Sequence, residues 1–210
     1  MEGSMFSLLT ERELDSLREI SNIGAGHAVT ALHQMTQKII TLEVPRVSLL
    51  PFSHVVDSLG GPEEEVMGLF FRIFGGTRGN MLVVMPRASV ERLLALVCNG
   101  KGVKKPLGDM EISALKEIGN ILTSAYLSAV GTILKIPLIP SIPSFSMDMA
   151  QAVMDLLLIE LAEVTHKALV IETDFQTRDG CFKGHFFLLP DPKSTEALIR
   201  AIRALGCGEG

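Results

Sequence analysis

Two trios of polar side chains, repeated along the chain with the same spacing, are the residues best placed to do chemistry together. The copies consist of Asp15, Glu19 and Asn22, and of Ser113, Glu117 and Asn120. On a helix with 3.6 residues per turn, this spacing puts each trio on one stripe. The opposite stripe is apolar in both copies, with Leu14, Leu17 and Ile20 in the first and Ile112, Leu115 and Ile118 in the second. Each copy is therefore predicted to be an amphipathic helix with a carboxylate and a carboxamide one turn apart.

Such a pair can contact the same foreign atom, but a glutamate and an asparagine on one wet helix face are usually solvated surface residues. The repetition favours a functional role for these residues over plain surface positions. Asparagine is a mediocre helix former, and many residues could replace it on an exposed face. We therefore interpret both copies as candidate sites. The pattern by itself leaves the reaction open.

A proline follows each asparagine after 22 intervening residues, Pro45 in the first copy and Pro143 in the second. The full pattern, Asp or Ser, three residues, Glu, two residues, Asn, 22 residues, Pro, resembles the signature of the CheC, CheX and FliY phosphatases of bacterial and archaeal chemotaxis. The run from Glu19 to Ala28 is also similar to the first helix of that family. Two copies in about 200 residues, without a large extra domain, are most similar to its CheC branch.

The resemblance implies a protein substrate, the response regulator CheY phosphorylated on an aspartate. No cofactor of the chain's own is expected, since the regulator would supply the Mg²⁺. In this interpretation Asn22 and Asn120 position the attacking water, while Glu19 and Glu117 bind a lysine of the regulator. For the residues that open the copies, Asp15 and Ser113, helix-face polarity or docking is at least as good an interpretation as a chemical role. The alternatives are a module that binds the phosphorylated regulator without hydrolysing it, as a flagellar switch component would, and a structural adaptor.

The resemblance also implies a second partner, the receptor deamidase CheD, which in CheC proteins binds a helix after the second signature proline. Residues 146–162 are predicted to form that helix. Met147, Ala150, Val153 and Met154 would give it a deformable apolar face, with Asp148 as an acidic contact. A buried core helix is an equally good interpretation of the same residues.

Composition excludes several other classes of function. The chain has a net charge of −5 and a pI near 5.6, and its scattered basic residues give no footprint for a nucleic acid. The three cysteines, Cys98, Cys181 and Cys207, form no zinc or redox motif and favour reduced thiols in the cytoplasm. The five histidines show no metal-binding spacing. The longest uncharged run, residues 118–134, contains several polar residues and is predicted to be a buried helix, not a membrane span.

The remaining pattern predicts the elements that carry the two trios. A helix from Thr10 to Gln37, with Thr10 as its N-cap, is followed by strand character at 39–50, a hairpin at 66–74 and 80–85, and a helix at 86–98. Within the first helix, Gly24 and Gly26 predict close approach of another backbone. A hinge at 99–106 leads to a helix at 108–134, a strand at 136–142, a hairpin at 168–175 and 182–189, and a closing helix at 190–205. Pro45 and Pro143 are interpreted as structural.

We therefore predict a single domain over residues 1–210, made of two internal repeats at about 10–100 and 107–206. The fold class is α/β in the α+β sense: two pseudo-twofold-related halves share an antiparallel-rich sheet packed by long helices. The first four residues, which precede Met5, are interpreted as a cloning remnant.

Overall fold

Residues 9–97, 106–161, 167–177 and 180–206 are described by a computed structural model of the chain. Their helices and strands follow one another in the order α1 (Glu11–Thr36), β1 (Ile40–Pro51), α2 (Phe52–Ser58), β2 (Glu65–Gly75), β3 (Gly79–Pro86), α3 (Arg87–Val97), α4 (Asp109–Leu134), β4 (Leu138–Pro140), β5 (Ser144–Met149), α5 (Ala150–Leu161), β6 (Lys167–Thr177), β7 (Gly180–Pro190) and α6 (Pro192–Gly206). The predicted class, helices packed on an antiparallel sheet, is confirmed.

The two long helices form where the trios predict them. At the start of α1, the Thr10 hydroxyl accepts the Glu13 N–H, and the Glu13 carboxylate accepts the Thr10 N–H at 2.6 Å. This reciprocal capping satisfies amide groups that have no partner within the helix. In α4, the Glu111 carboxylate accepts the Gly108 N–H at 3.1 Å. The predicted bounds of both helices are correct to within one residue.

A seven-stranded antiparallel sheet supports these helices. Its strand order is β1-β6-β7-β3-β2-β4, and β5 pairs with the same side of β2 as β4 does. The predicted hairpins are confirmed as the β2–β3 and β6–β7 pairs. Because β7 pairs with β3, strands from the two parts of the chain meet at the centre of one sheet. The two long helices therefore rest on a continuous support.

Each face of the sheet carries its own core. The larger core joins α1 and α4 to one face through side chains such as Leu17, Leu32, Phe71, Leu115 and Phe186. The smaller core lies between the other face and the pair α2 and α5. Alternate residues of each strand point to opposite faces, so the central strands contribute to both. This second core buries Ala150, Val153 and Met154 of α5.

Strand β1 forms one edge of the sheet, and Pro45 lies within it. The register between β1 and β6 shifts between Glu43 and Arg46, which marks a bulge at the proline. A proline lacks an N–H for the ladder, so an edge strand with a bulge is one of the few places in a sheet that accept it. Pro45 thus lies in an edge strand beside a bulge, which fits its interpretation as a structural residue.

The helix predicted at 146–162 is wrong in its first part. Residues 144–149 form strand β5, paired along β2, and helix α5 begins only at Ala150. Phe145 and Met147 pack against the larger core while the intervening residues face the other way. This alternation with a period of two is a strand pattern that the helical interpretation overlooked.

The apolar face proposed there for CheD is also wrong for three of its four residues. Ala150, Val153 and Met154 are almost fully buried in the smaller core. Val153 packs on Gly68, where a Cβ would lie only 2.7 Å from its Cγ1. Met147 is half-buried on β5, and Asp148 beside it is exposed. Asp148 and part of Met147 thus remain available as contacts.

The second half also departs from prediction after α4. A strand was expected over 136–142, but β4 spans only Leu138–Pro140. The Ile136 N–H instead closes the end of α4 by donating to the Gly131 carbonyl at 2.9 Å. Residues 99–105 of the predicted hinge and two of the cysteines, Cys98 and Cys207, lie outside the described residues. Within the described ranges, no helix is long and apolar enough to cross a membrane.

Candidate functional site

The two helices that carry the trios lie side by side. The Ser21 and Tyr126 hydroxyls form a buried hydrogen bond of 2.9 Å between α1 and α4. At Gly24, a Cβ would lie 2.8 Å from Cδ2 of the Tyr126 ring, so only glycine lets the helices pack this closely. The predicted close approach thus occurs at Gly24, but to side chains of α4 and not to a backbone. The prediction is wrong at Gly26, where a Cβ would meet nothing within 4 Å.

The trio on α4 is held against the sheet by the residue next to its asparagine. Gly119 is buried, and a Cβ there would lie 2.2 Å from Cδ1 of Leu69 on β2. The absence of a side chain brings the helix backbone close to the sheet at this point. Asn120 therefore follows a residue that packs tightly against the sheet.

The glutamates of both trios face solvent. Glu19 and Glu117 are exposed, and neither carboxylate has a hydrogen bond or ion pair with any other residue in the described part of the chain. Asp15 pairs with Arg18 on the same helix at 3.4 Å, in an exposed contact of small energetic value. Ser113 is also exposed. The two glutamates are thus available to a cation of another molecule.

The first asparagine is bound to the edge strand. The Asn22 carbonyl oxygen accepts the Val44 N–H at 2.9 Å, and its NH₂ group donates to the Val44 carbonyl at 3.4 Å. The same NH₂ group donates to the Arg18 carbonyl at 3.1 Å. The side chain is half-buried, and the expectation of an exposed asparagine is wrong here. Sequence reasoning missed Val44 because its contribution comes from its backbone.

This contact gives the signature spacing a physical reason. From Asn22 to the end of α1 the chain runs through about 14 residues, or about 21 Å of helix. The return from Gln37 to Val44 covers about seven extended residues, or about 23 Å. The two lengths match, so the chain comes back to the asparagine at Val44, directly before Pro45. The spacing is thus compatible with the contact.

The second asparagine has no such partner. Asn120 is also half-buried, but its carboxamide makes no hydrogen bond with any residue that the structure describes. The equivalent of Val44 is Ile142, which is 87% exposed. The chain beside it is tied to β2 instead, because the Ser141 N–H donates to the Arg72 carbonyl and its hydroxyl accepts the Arg72 N–H.

The two sites therefore differ in hydrogen-bonding capacity. A carboxamide has two donors and two acceptor lone pairs. In Asn22 both donors and one lone pair are used by backbone groups, which leaves one lone pair for a water. In Asn120 all four remain for water and substrate. No hydrogen bond or ion pair between described residues joins the two trios, so they form two separate sites.

The surroundings of the two trios give little support to other kinds of chemistry, such as metal binding. Within the described ranges, no group of three or more His, Cys, Asp and Glu side chains is arranged to hold a metal ion. A cavity lies between α1, α4, α6 and the sheet, on the inner side of α1, and its lining is almost wholly apolar. Burial raises the pKa of Tyr126, which borders this cavity, to about 12, so its hydroxyl stays protonated.

The chain matches the model of the CheC-like family over residues 13–49 and 110–147, which contain both trios and their prolines. The CheY-P phosphatase CheC of Bacillus subtilis (strain 168) is 39% identical over 206 residues, covering 96% of this chain and 99% of that protein. The flagellar motor switch phosphatase FliY of the same organism is 29% identical over 126 residues, 60% of this chain and 33% of that protein.

The crystal structure of Thermotoga maritima FliY has the same fold, with a TM-score of 0.73 and 19% identity over 94% of this chain and 98% of that one. The identity to the Bacillus CheC extends over nearly the whole of both proteins and includes the stretches that carry the trios. On this ground, the chain belongs to the CheC-like family.

Proposed function

We propose that this chain is a chemotaxis phosphatase that hydrolyses the aspartyl phosphate of a CheY-type response regulator. The observation that carries the proposal is found on each of two helices: an exposed glutamate, unpartnered among the described residues, precedes an asparagine by one turn. The whole-length similarity to a protein named as a CheY-P phosphatase supports the same reaction. The substrate is a protein domain, which suits an open helix face better than a closed pocket.

The residues available match the modest demands of this reaction. An acyl phosphate is already activated, so a water needs only to be held in line with the phosphorus and the charge on the phosphoryl oxygens stabilised. The new bond joins the water oxygen to phosphorus, and the bond to the aspartyl oxygen breaks to give a carboxylate and inorganic phosphate. We expect the regulator to supply the Mg²⁺ and the lysine that neutralise this charge.

In this scheme the asparagines position water and the glutamates anchor the partner. The Asn120 carbonyl oxygen accepts a hydrogen of the water, and its NH₂ group donates to a phosphoryl oxygen, with no change in its protonation state. Glu19 and Glu117 each accept a charge-assisted hydrogen bond from a lysine of the regulator. Asp15 and Ser113 border the docking face. Because Asn22 is already bound to Val44, we assign the larger part of the rate to Asn120.

The direct test is turnover. A receiver domain of the same organism, phosphorylated on its aspartate, is mixed with the chain at one-hundredth of its concentration, and phosphate release is followed. A phosphatase releases many equivalents of phosphate per chain. If phosphate release does not exceed the rate of the receiver's own decay, the proposal is wrong.

A second function is favoured at the first copy by one observation. Because the Asn22 donors are occupied, that face can bind a phosphorylated regulator through Glu19 without hydrolysing it. The first copy would then act as a docking module, as in a flagellar switch component or adaptor. Binding of the phosphorylated receiver by a variant with both Glu117→Lys and Asn120→Ala, without accelerated release, would support it.

We also propose CheD as a partner and the cytoplasm as the place of action. Asp148 is exposed directly before α5, and its carboxylate accepts the Met149 N–H at 2.8 Å. This contact fixes an acidic group beside the half-buried Met147. Asp148→Lys should weaken CheD binding in a titration and leave the melting temperature unchanged, whereas equal affinity of both proteins would contradict the assignment.

A further inference from the structure

The outward stripe of α1 continues beyond the signature residues. Ile23 and Gly26 lie four and seven positions after Glu19, on the same side of the helix. Ile23 is 52% exposed, although it follows directly after a half-buried asparagine. A single exposed isoleucine is common on protein surfaces and carries little weight alone.

Gly26 supplies the second observation. It lies in the middle of a 26-residue helix, where glycine is the poorest helix former except proline. A Cβ at this position would meet no atom within 4 Å, in contrast to Gly24, which packs against Tyr126. Hence nothing in the described part of the chain requires a glycine at this exposed position.

The second copy has no equivalent of this surface. The corresponding residues of α4 are Ile121, which is half-buried, and Ser124, which is also half-buried. A largely exposed isoleucine and a glycine at these two positions are therefore specific to the first copy. That copy is also the one whose asparagine is bound to the backbone of β1.

We propose that Ile23 and Gly26 extend the docking surface of the first copy, with Ile23 as an apolar anchor and Gly26 as the point where the regulator's backbone comes closest. This inference rests on the proposed function, because the partner that would cover this surface is the phosphorylated receiver domain that docks at Glu19 and Asn22. A partner lysine at Glu19 brings its domain over Ile23, only one helical turn away.

The extent of a protein interface supports the same occupant. A stable interface covers about 800 Å² on each partner, a disc of about 16 Å radius. Gly26 lies about 10 Å along the helix from Glu19, so such a disc centred on the signature residues includes it. A receiver domain that binds at Glu19 therefore buries Ile23 and contacts the bare backbone at Gly26.

The test uses a background with Glu117→Lys, which disables docking at the second copy. Binding is measured with a receiver domain carrying beryllium fluoride and Mg²⁺, a stable mimic of the aspartyl phosphate. Ile23→Asp should weaken binding at least about tenfold, since it replaces an apolar anchor by a charge that must be desolvated. Ile39→Asp is the matched control, because Ile39 is 72% exposed beyond the end of α1, and it should change affinity less than about twofold.

A second series separates binding from folding. Gly26→Ala and Gly26→Leu should both raise the melting temperature, because both residues are better helix formers than glycine. Affinity for the receiver should fall in the same order, from glycine to alanine to leucine. Loss of affinity with gain of stability cannot come from unfolding.

The outcomes distinguish this inference from the proposed function. Unchanged affinity for Ile23→Asp and Gly26→Leu would overturn the inference, while turnover by the unmodified chain would leave the phosphatase proposal standing. An unmodified chain that neither binds nor hydrolyses would overturn both. If Ile23→Asp instead abolishes self-association in sedimentation and leaves receiver binding intact, the surface belongs to a second copy of the chain and the inference is wrong.

Discussion

Asn22 and Val44 exchange two hydrogen bonds, N–H to carboxamide oxygen at 2.9 Å and carboxamide NH₂ to carbonyl at 3.4 Å, and so tie α1 to the edge strand. Asn22→Ala should lower the free energy of unfolding by about 1–2 kcal/mol, because the buried Val44 N–H is left without its partner while alanine returns a little helix propensity. Urea unfolding of the variant and the unmodified chain measures the difference.

The matched control is the same substitution in the other copy. Asn120→Ala removes no hydrogen bond to any described residue and should leave the unfolding midpoint unchanged or slightly raised. Equal destabilisation by both substitutions would show that the Asn22–Val44 contact contributes nothing specific to stability.

The same difference predicts unequal effects on turnover. Loss of a preorganised polar contact in a catalytic site typically costs about 10²–10³ in rate. Asn120→Ala should therefore leave less than about a tenth of the phosphate release, whereas Asn22→Ala, assayed well below its melting temperature, should keep more than about half. The double variant should release none above the receiver's own decay. A larger loss from Asn22→Ala than from Asn120→Ala would reverse the ranking.

Binding should depend on the glutamates more than on the asparagines. Glu19→Lys and Glu117→Lys each place a like charge opposite the regulator's lysine, so each should weaken binding of the loaded receiver by about tenfold or more. The Asn→Ala variants should bind nearly normally. Binding isotherms for the four single variants measure these affinities, and thermal melts check that each variant is folded. Strong binding by the double Glu→Lys variant would show that the receiver docks elsewhere.

The packing of α1 on α4 makes a prediction about Gly24. A Cβ there would lie 2.8 Å from the buried Tyr126 ring, so Gly24→Ala forces the two helices apart and should cost about 1–3 kcal/mol. Helix propensity alone predicts a gain of about 1 kcal/mol for the same change. The sign of the shift in urea midpoint therefore tells which effect is larger, and a stabilised variant would contradict the packing seen here.

His185 should make the fold sensitive to mild acid. Burial, with a smaller contribution from Lys183, lowers its pKa to about 4 against partial opposition from Asp174, and Glu172 lies opposite it on β6. The unfolded chain, with a histidine pKa near 6.5, binds the proton more tightly. Stability from this group is thus complete above about pH 6.5 and is lost as pH falls towards 4, by up to about 3 kcal/mol.

The measurement compares the unmodified chain with His185→Gln at pH 7.5 and pH 5.0. Carboxylates contribute to both proteins alike, so the difference between their pH dependences isolates the histidine. The variant should lose less stability on acidification. Parallel curves would mean that His185 is not buried in its neutral form.

Much of the fold could be predicted from the sequence because local signals and tertiary packing agree. Thr10 and Glu13 form the capping box that their spacing suggests, and glycine-bounded apolar runs form the two hairpins. The prediction for the stretch after Pro143 was wrong because its apolar residues fit a helix and a strand about equally over a short window. Pairing with β2, a contact across more than 70 residues, decided the structure there.

The site was less predictable than the fold. Helical spacing is enough to put Glu19 and Asn22 on one stripe, and Glu117 and Asn120 on another. It cannot show that the Val44 backbone occupies one carboxamide and not the other, because the two copies have the same spacing to their prolines. The difference arises where β4 ends early and Ile142 turns outward, which depends on the tie between Ser141 and Arg72.

The prolines of the two copies lie along the two outer margins of the sheet. Pro45 and Pro51 belong to β1, and Pro140 and Pro143 belong to the short segment beside β2. Open strand edges are templates on which other chains can add, and prolines remove the donors such addition needs. The prolines of β1 and β4 thus remove donors from strands at both margins. We expect that replacing Pro45 and Pro51 with valine would make the chain more prone to aggregate, even where catalysis is untouched.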